Sequence, residues 1–125
     1  MISTISIIGM LSFGKPTATY TCNARTLFTI NPGDTTSLTY NINSEDVAIY
    51  DDRIEFTSNR STKKFNISLK LDDGRFYAYL NETQYSYIFY VDDASGLIVS
   101  YSPDADITPS YPKLVMMQHC RKLND

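Results

Sequence analysis

The stretch FNISLKL, residues 65–71, places Phe65, Ile67, Leu69 and Leu71 at alternate positions, with Asn66, Ser68 and Lys70 between them. A period of two puts the first set on one side of an extended chain and the second on the other, so a half-buried strand is predicted. RFYAYL (75–80) behaves in the same way. Phe76, Ala78 and Leu80 share one face; Tyr77 and Tyr79 share the other. YSYIFYV (85–91) sets Tyr85, Tyr87, Phe89 and Val91 against Ser86, Ile88 and Tyr90, and LIVSY (97–101) groups Leu97, Val99 and Tyr101. RIEF (53–56) continues the pattern. Further strands are predicted over 19–30, 37–42, 47–50 and 113–121, where Thr, Tyr, Ile and Val are frequent.

Turn-forming clusters separate these segments: NPGD (31–34), NSED (43–46), DDG (72–74), NETQ (81–84) and DDASG (92–96). No window carries a helical period. The expected fold class is therefore all-β, a small antiparallel barrel or sandwich of about eight strands with a β-meander in the second half.

The pair Asp-Asp recurs at Asp51-Asp52, Asp72-Asp73 and Asp92-Asp93, each time after an apolar strand end. Two strands lie between successive pairs. In a meander two strands bring the chain back to the same end, so all three acidic turns are expected on one rim. The segment NRSTKK (59–64), with Arg60, Lys63 and Lys64, and NETQ are expected on the opposite rim. Asp is also simply a good turn residue, which accounts for each pair separately.

Length and composition bound the rest. The chain has 125 residues, 42% hydrophobic and 20% charged, which suits one folded domain with its own core. A net charge of −3 with scattered Lys and Arg offers no basic stripe, so nucleic acid is not an expected partner. No apolar run is long enough for a membrane-spanning helix. Residues 1–14 contain an apolar stretch, Ile2 to Phe13, read either as a signal-like segment or as a first strand; 15–125 is the β domain.

The two cysteines, Cys22 and Cys120, lie near opposite ends. An even count in a small domain predicts one disulfide, and with it a periplasmic or secreted location. The other reading is two buried thiols and a cytoplasmic location.

Catalytic chemistry has little to stand on. His119 is the only histidine, and its neighbour Cys120 points to the other face of a strand, so the two cannot act as a nucleophile–base pair. One histidine and two cysteines do not make a zinc site. No glycine-rich phosphate loop or hydrolase motif is present, and the acidic turns do not follow the spacing of a calcium loop. No enzyme activity, cofactor or metal is expected. SPDADITPSYP (102–112) carries three prolines and Tyr111 without alternation, a long irregular loop of the kind that often carries function.

TYTC (19–22), a cysteine near the end and ASG (94–96) together resemble the periplasmic lysozyme inhibitors of bacteria, which are small β-barrels. That resemblance implies a barrel that binds a protein. The aromatic and Lys-Gly segment of those inhibitors is absent after the hairpin, so no inhibitory residue is carried over.

The functional expectation is a small exported binding protein acting on a protein partner, as an inhibitor or immunity-type protein. The candidate contact residues are Asp51, Asp52, Asp72, Asp73, Asp92 and Asp93, suited to a basic surface, with Tyr77, Tyr79, Tyr101 and Tyr111 supplying aromatic area. The alternative is a lipocalin-like barrel holding a small ligand in an apolar cavity.

Overall fold

The structure is a computed structural model that describes residues 14–80, 86–103 and 111–123. Eight strands follow one another: β1 (Ala18–Asn31), β2 (Asp34–Ile49), β3 (Arg53–Ser58), β4 (Ser61–Lys70), β5 (Arg75–Leu80), β6 (Ser86–Asp92), β7 (Leu97–Tyr101) and β8 (Lys113–Lys122). Each pairs antiparallel with the next, and β8 pairs with β1, so the meander closes into a barrel. The all-β expectation holds, and closure selects the barrel over the sandwich. The signal-or-strand segment up to Phe13, NETQ with Tyr85, and the centre of the 102–112 loop lie outside the described residues.

Alternation along the strands fills the barrel. Tyr20, Cys22, Val47, Ile54, Phe56, Phe65, Phe76, Ala78, Phe89 and Ile98 form one buried cluster. Phe89 is at its centre. Its ring lies 5.1 Å from Phe65, 5.5 Å from Phe76 and 5.8 Å from Phe56, centroid to centroid. These are the edge-to-face and offset spacings that aromatic quadrupoles favour. Cys22 and Cys120 face each other across the β1–β8 seam and are joined by a disulfide that spans 98 residues of sequence. Such a bond is compatible with an oxidising compartment.

Two sequence expectations need correction. NSED (43–46) is not a turn. It lies inside β2, where the register with β1 shifts between Cys22 and Ala24, and the extra residues are absorbed as a bulge. Ser44 Oγ donates to Asn23 Oδ1 across this irregularity at 3.2 Å. The two strands predicted over 37–42 and 47–50 are therefore one. Second, Leu69 does not share the inner face of Phe65 and Ile67: the β4–β5 register shifts between Ile67 and Leu69, so Leu69 pairs with Tyr77 and is 54% exposed. Leu97, Val99 and Tyr101 do share one face, the outer one, opposite Asp92, Tyr90 and Ile88, while Ile98 enters the core. The neighbouring strands carry Tyr77, Ile88 and Tyr90 outward, so the outer face of β5–β7 is itself apolar, and Ile88 is buried there.

The strands differ in length, and this shapes the molecule. The β2–β3 ladder covers only Asp46 to Ile49, whereas the β1–β2 ladder runs out to Asn31↔Asp34. On the other side, β8 follows β1 to Ile30↔Lys113, beyond its last pair with β7 at Tyr101↔Val115. At this end β2, β1 and β8 continue past the barrel as a three-stranded sheet.

Gly96, in the β6–β7 turn, packs against the seam. Its φ is +74°, a Cβ there would collide with the Cys120 carbonyl oxygen, and its own carbonyl accepts from the Cys120 N–H at 2.7 Å. Gly96→Ala is expected to destabilise the fold by more than about 1 kcal/mol, because left-handed strain adds to the clash. Gly33→Ala has the same sign of φ but open space around it, so it isolates the strain alone. Urea midpoints for the two variants measure the difference.

Candidate functional site

The meander brings the β2–β3, β4–β5 and β6–β7 turns, and with them the three Asp-Asp pairs, to one end. The β3–β4 turn, with Asn59 and Arg60 at φ of 49° and 68°, lies at the other end with Lys63 and Lys64. Three of the six rim aspartates are paired with nearby cations. Asp52 pairs with Arg53 at 2.9 Å, Asp73 with Arg75 at 2.7 Å and Asp93 with Lys122 at 3.1 Å. Asp92 accepts from the backbone N–H groups of Ala94 and Ser95, closing its own turn. Asp51 and Asp72 stand in solvent.

Local donors hold the Asp73, Asp92 and Asp93 carboxyls below the usual carboxylate range. For Asp73 the main cause is the Arg75 backbone N–H, for Asp92 it is Ser95, and for Asp93 it is the Tyr20 hydroxyl followed by Lys122. Tyr20 rises from inside the barrel and donates to Asp93 Oδ1 at 2.6 Å, sealing this end. Burial, then Asp93, pushes the Tyr20 phenol above its ordinary pKa.

The linkage signs follow. A depressed carboxyl contributes stability that is present above its unfolded pKa and is lost as pH falls through the folded value. A raised phenol contributes stability that is present below its unfolded pKa and is lost as pH rises through the folded one. Stability is expected to decline below pH about 4 and again above about 10. Asp93→Asn should flatten the acid limb; denaturant midpoints across pH provide the check.

The tyrosines divide by parity. Tyr77, Tyr79, Tyr90 and Tyr101 lie on the outer face, and Tyr87 lies inside against Phe65 at 5.4 Å. Arg75 Nη1 donates to the Tyr101 hydroxyl at 3.1 Å. Tyr79 and Tyr90 are exposed, whereas Tyr77 and Tyr101 are half-buried beside Ile88. Tyr111 is exposed ahead of β8, next to Lys113, and so sits at the basic end, apart from the acidic turns. His119 faces outward, where Nε2 lies 2.8 Å from Thr26 Oγ1, while Cys120 faces inward; the two are on opposite faces as expected.

Among the described residues, the end away from the acidic rim is open. Here the inner-face residues of the barrel run out onto the three-stranded sheet. Leu27 pairs with Leu38 and Met116, Thr29 with Thr36 and Leu114, and Arg25 with Tyr40 and Gln118. Three of these apolar side chains are strongly exposed: Leu38 at 63%, Leu114 at 53% and Tyr40 at 38%. At the base of this apron, Arg25 Nη2 lies 3.4 Å from Glu45 Oε1, which also accepts from Gln118 Nε2 at 2.6 Å. Below them is a pocket of about 160 Å³, walled by Phe56, Phe65, Leu80, Tyr87, Phe89 and Met116, with Lys63 at its edge. Arg25 Nε is buried and has no hydrogen-bond partner among the described residues.

Sequence reasoning missed this mouth. The alternation of Leu38, Tyr40 and Ile42 with Ser37, Thr39 and Asn41 is readable, but it signals a core-facing strand. Only the topology reveals that, among the described residues, no strand crosses over it.

Comparison of the chain with family models, with curated proteins and with solved structures gives no match.

Proposed function

We propose that the protein is a binding module for another protein, which it engages at the open mouth. The observation that carries this reading is the apolar apron. Leu38, Tyr40 and Leu114 stand exposed on one face of a sheet that is continuous with the barrel interior. Scattered exposed leucines need no explanation, but a contiguous set rimmed by polar groups marks an interaction site. The mouth pocket has room for one large side chain. An apolar anchor from the partner would enter it, and the sheet would receive the flanking residues. The partner surface that fits is apolar at its centre and acidic around it, because Arg60, Lys63, Lys64 and Lys113 belong to this end while Arg25 is paired with Glu45.

This moves the contact away from the acidic turns, where Asp52, Asp73 and Asp93 already pair with Arg53, Arg75 and Lys122. The lipocalin-like alternative is less well supported. Drug-sized ligands occupy pockets of about 300 Å³ or more, and the barrel interior is taken up by Phe56, Phe65, Phe76 and Phe89. An exported location, periplasmic or secreted, and an inhibitory or immunity-type role belong to the same reading and rest on the disulfide and on the binding surface.

The test is capture of partners from the native extracellular or periplasmic fraction with three baits: the parent, Leu114→Asp, and a rim variant with all six turn aspartates changed to Asn. A specific partner should be retained by the parent and the rim variant and lost, by tenfold or more in affinity, with Leu114→Asp. Loss with the rim variant alone would return the contact to the acidic end.

A further inference from the structure

We propose that the free edge of β2 pairs antiparallel with the same edge of a second copy of the chain. Among the described residues, β3 covers this edge only up to Asp46, so β2 offers its outer row of N–H and C=O groups from Asp34 to Asn41. Natural sheets protect such edges with Lys, Pro, inward charges or bulges. None of these lies between Thr35 and Asn41, where the sequence is TTSLTYN and the ladder to β1 is regular.

The edge is complementary to itself. A two-fold axis through Leu38 sets Leu38 opposite Leu38 of the second copy, Ser37 opposite Thr39, Thr36 opposite Tyr40 and Thr35 opposite Asn41. Apolar positions then meet on the inner face and polar ones on the outer face, and no charge opposes a like charge. The incoming strand lies in line with β3, so its β1–β2 turn reaches the β3–β4 turn. A cleft of about 180 Å³ lies there, lined in part by Ile42, Asn43, Ser58 and Asn59. The second copy's Asp34 is delivered beside Arg60, and the symmetry repeats the contact. Neither residue has an ion pair among the described residues, so the two-fold supplies opposite charges at both ends of the pairing. The result is a six-stranded sheet whose two apolar aprons adjoin on one side. Leu38 and Tyr40 serve both readings, but the dimer is read from the mass and from Leu38 variants, and the partner contact from Leu114→Asp, so the failure of one is distinguishable from the failure of the other.

Sedimentation equilibrium over a wide concentration range tests it. The parent should reach the mass of a dimer and go no further. Leu38→Lys places two ammonium groups opposite each other and should remain a monomer. Leu38 is largely exposed, so circular dichroism should show the variant folded. Arg60→Glu should weaken the dimer, and adding Asp34→Lys to it should restore it. Register is read by cysteine cross-linking, since the native chain has no free cysteine among the described residues. Leu38→Cys should oxidise to a covalent dimer, because facing Cα atoms in an antiparallel pair lie about 4.5–5.5 Å apart. Thr35→Cys, which faces Asn41, should not. A parent that is monomeric at every concentration, a Leu38→Lys variant that still dimerises, or equal cross-linking at both positions would overturn the proposal.

Discussion

Phe89→Ala is expected to lower the stability of the barrel by about 3–5 kcal/mol, the range for truncating a buried aromatic. Phe89 is 2% exposed and touches the rings of Phe56, Phe65 and Phe76, from three other strands, and of Tyr87 on its own strand. Removing it opens a void that no neighbour can close, because each surrounding ring is held by its own strand. The mouth pocket shares this wall, so the void would merge with it and admit water, and water gains little from aromatic walls. Tyr90→Ala, one position along on the exposed outer face, is the matched comparison and should cost far less. Urea unfolding of the two variants measures the contrast. Similar losses would mean that the inside and outside of β6 are wrongly assigned.

The second large effect belongs to the disulfide. Replacing Cys22 and Cys120 together by Ser should cost about 2–5 kcal/mol, towards the upper part of that range in the chain-entropy model because the loop is long. The folded barrel should persist, since ten residue pairs join β1 to β8 without the sulfurs. The loss should appear as a lower unfolding midpoint with an unchanged near-ultraviolet circular dichroism spectrum. Two reactive thiols in the denatured, unreduced parent protein would contradict the bond from the start.

The strands were legible in the sequence because their residues face two different media. RFYAYL shows its faces directly. FNISLKL does so only as far as Ile67, beyond which a bulge turns Leu69 outward. The spacing of the Asp-Asp turns follows from counting strands between them. Legibility stopped where both faces are apolar. In LIVSY the alternation groups Leu97, Val99 and Tyr101 but does not say which side is inward, because the outer surface of β5–β7 is also apolar; Ile98 is the residue that goes in. It stopped again at NSED, where turn-forming residues are held in a strand by the Arg25–Glu45–Gln118 contacts and by Ser44 on Asn23. The mouth was not legible at all. Arg25, Glu45 and Gln118 are far apart in sequence, and the exposure of Leu38 depends on how far β3 extends, which no local pattern records. The rim was placed correctly as geometry, but its internal ion pairs, formed one or two residues along for Arg53 and Arg75, were read as free charge.

Seven of the eight strand pairings join sequence neighbours, and only the β1–β8 seam is distant. In the language of contact order, the wall is nearly all local, and the non-local cost is concentrated in one closure. Each hairpin can form from residues already close together. None of them buries its inner face until the last strand meets the first, because an open curved sheet leaves Phe56, Phe65 and Phe89 wet on one side. The seam is therefore where local order becomes a single cooperative unit. A chain shortened before β8 would keep most of its hairpins and lose the barrel.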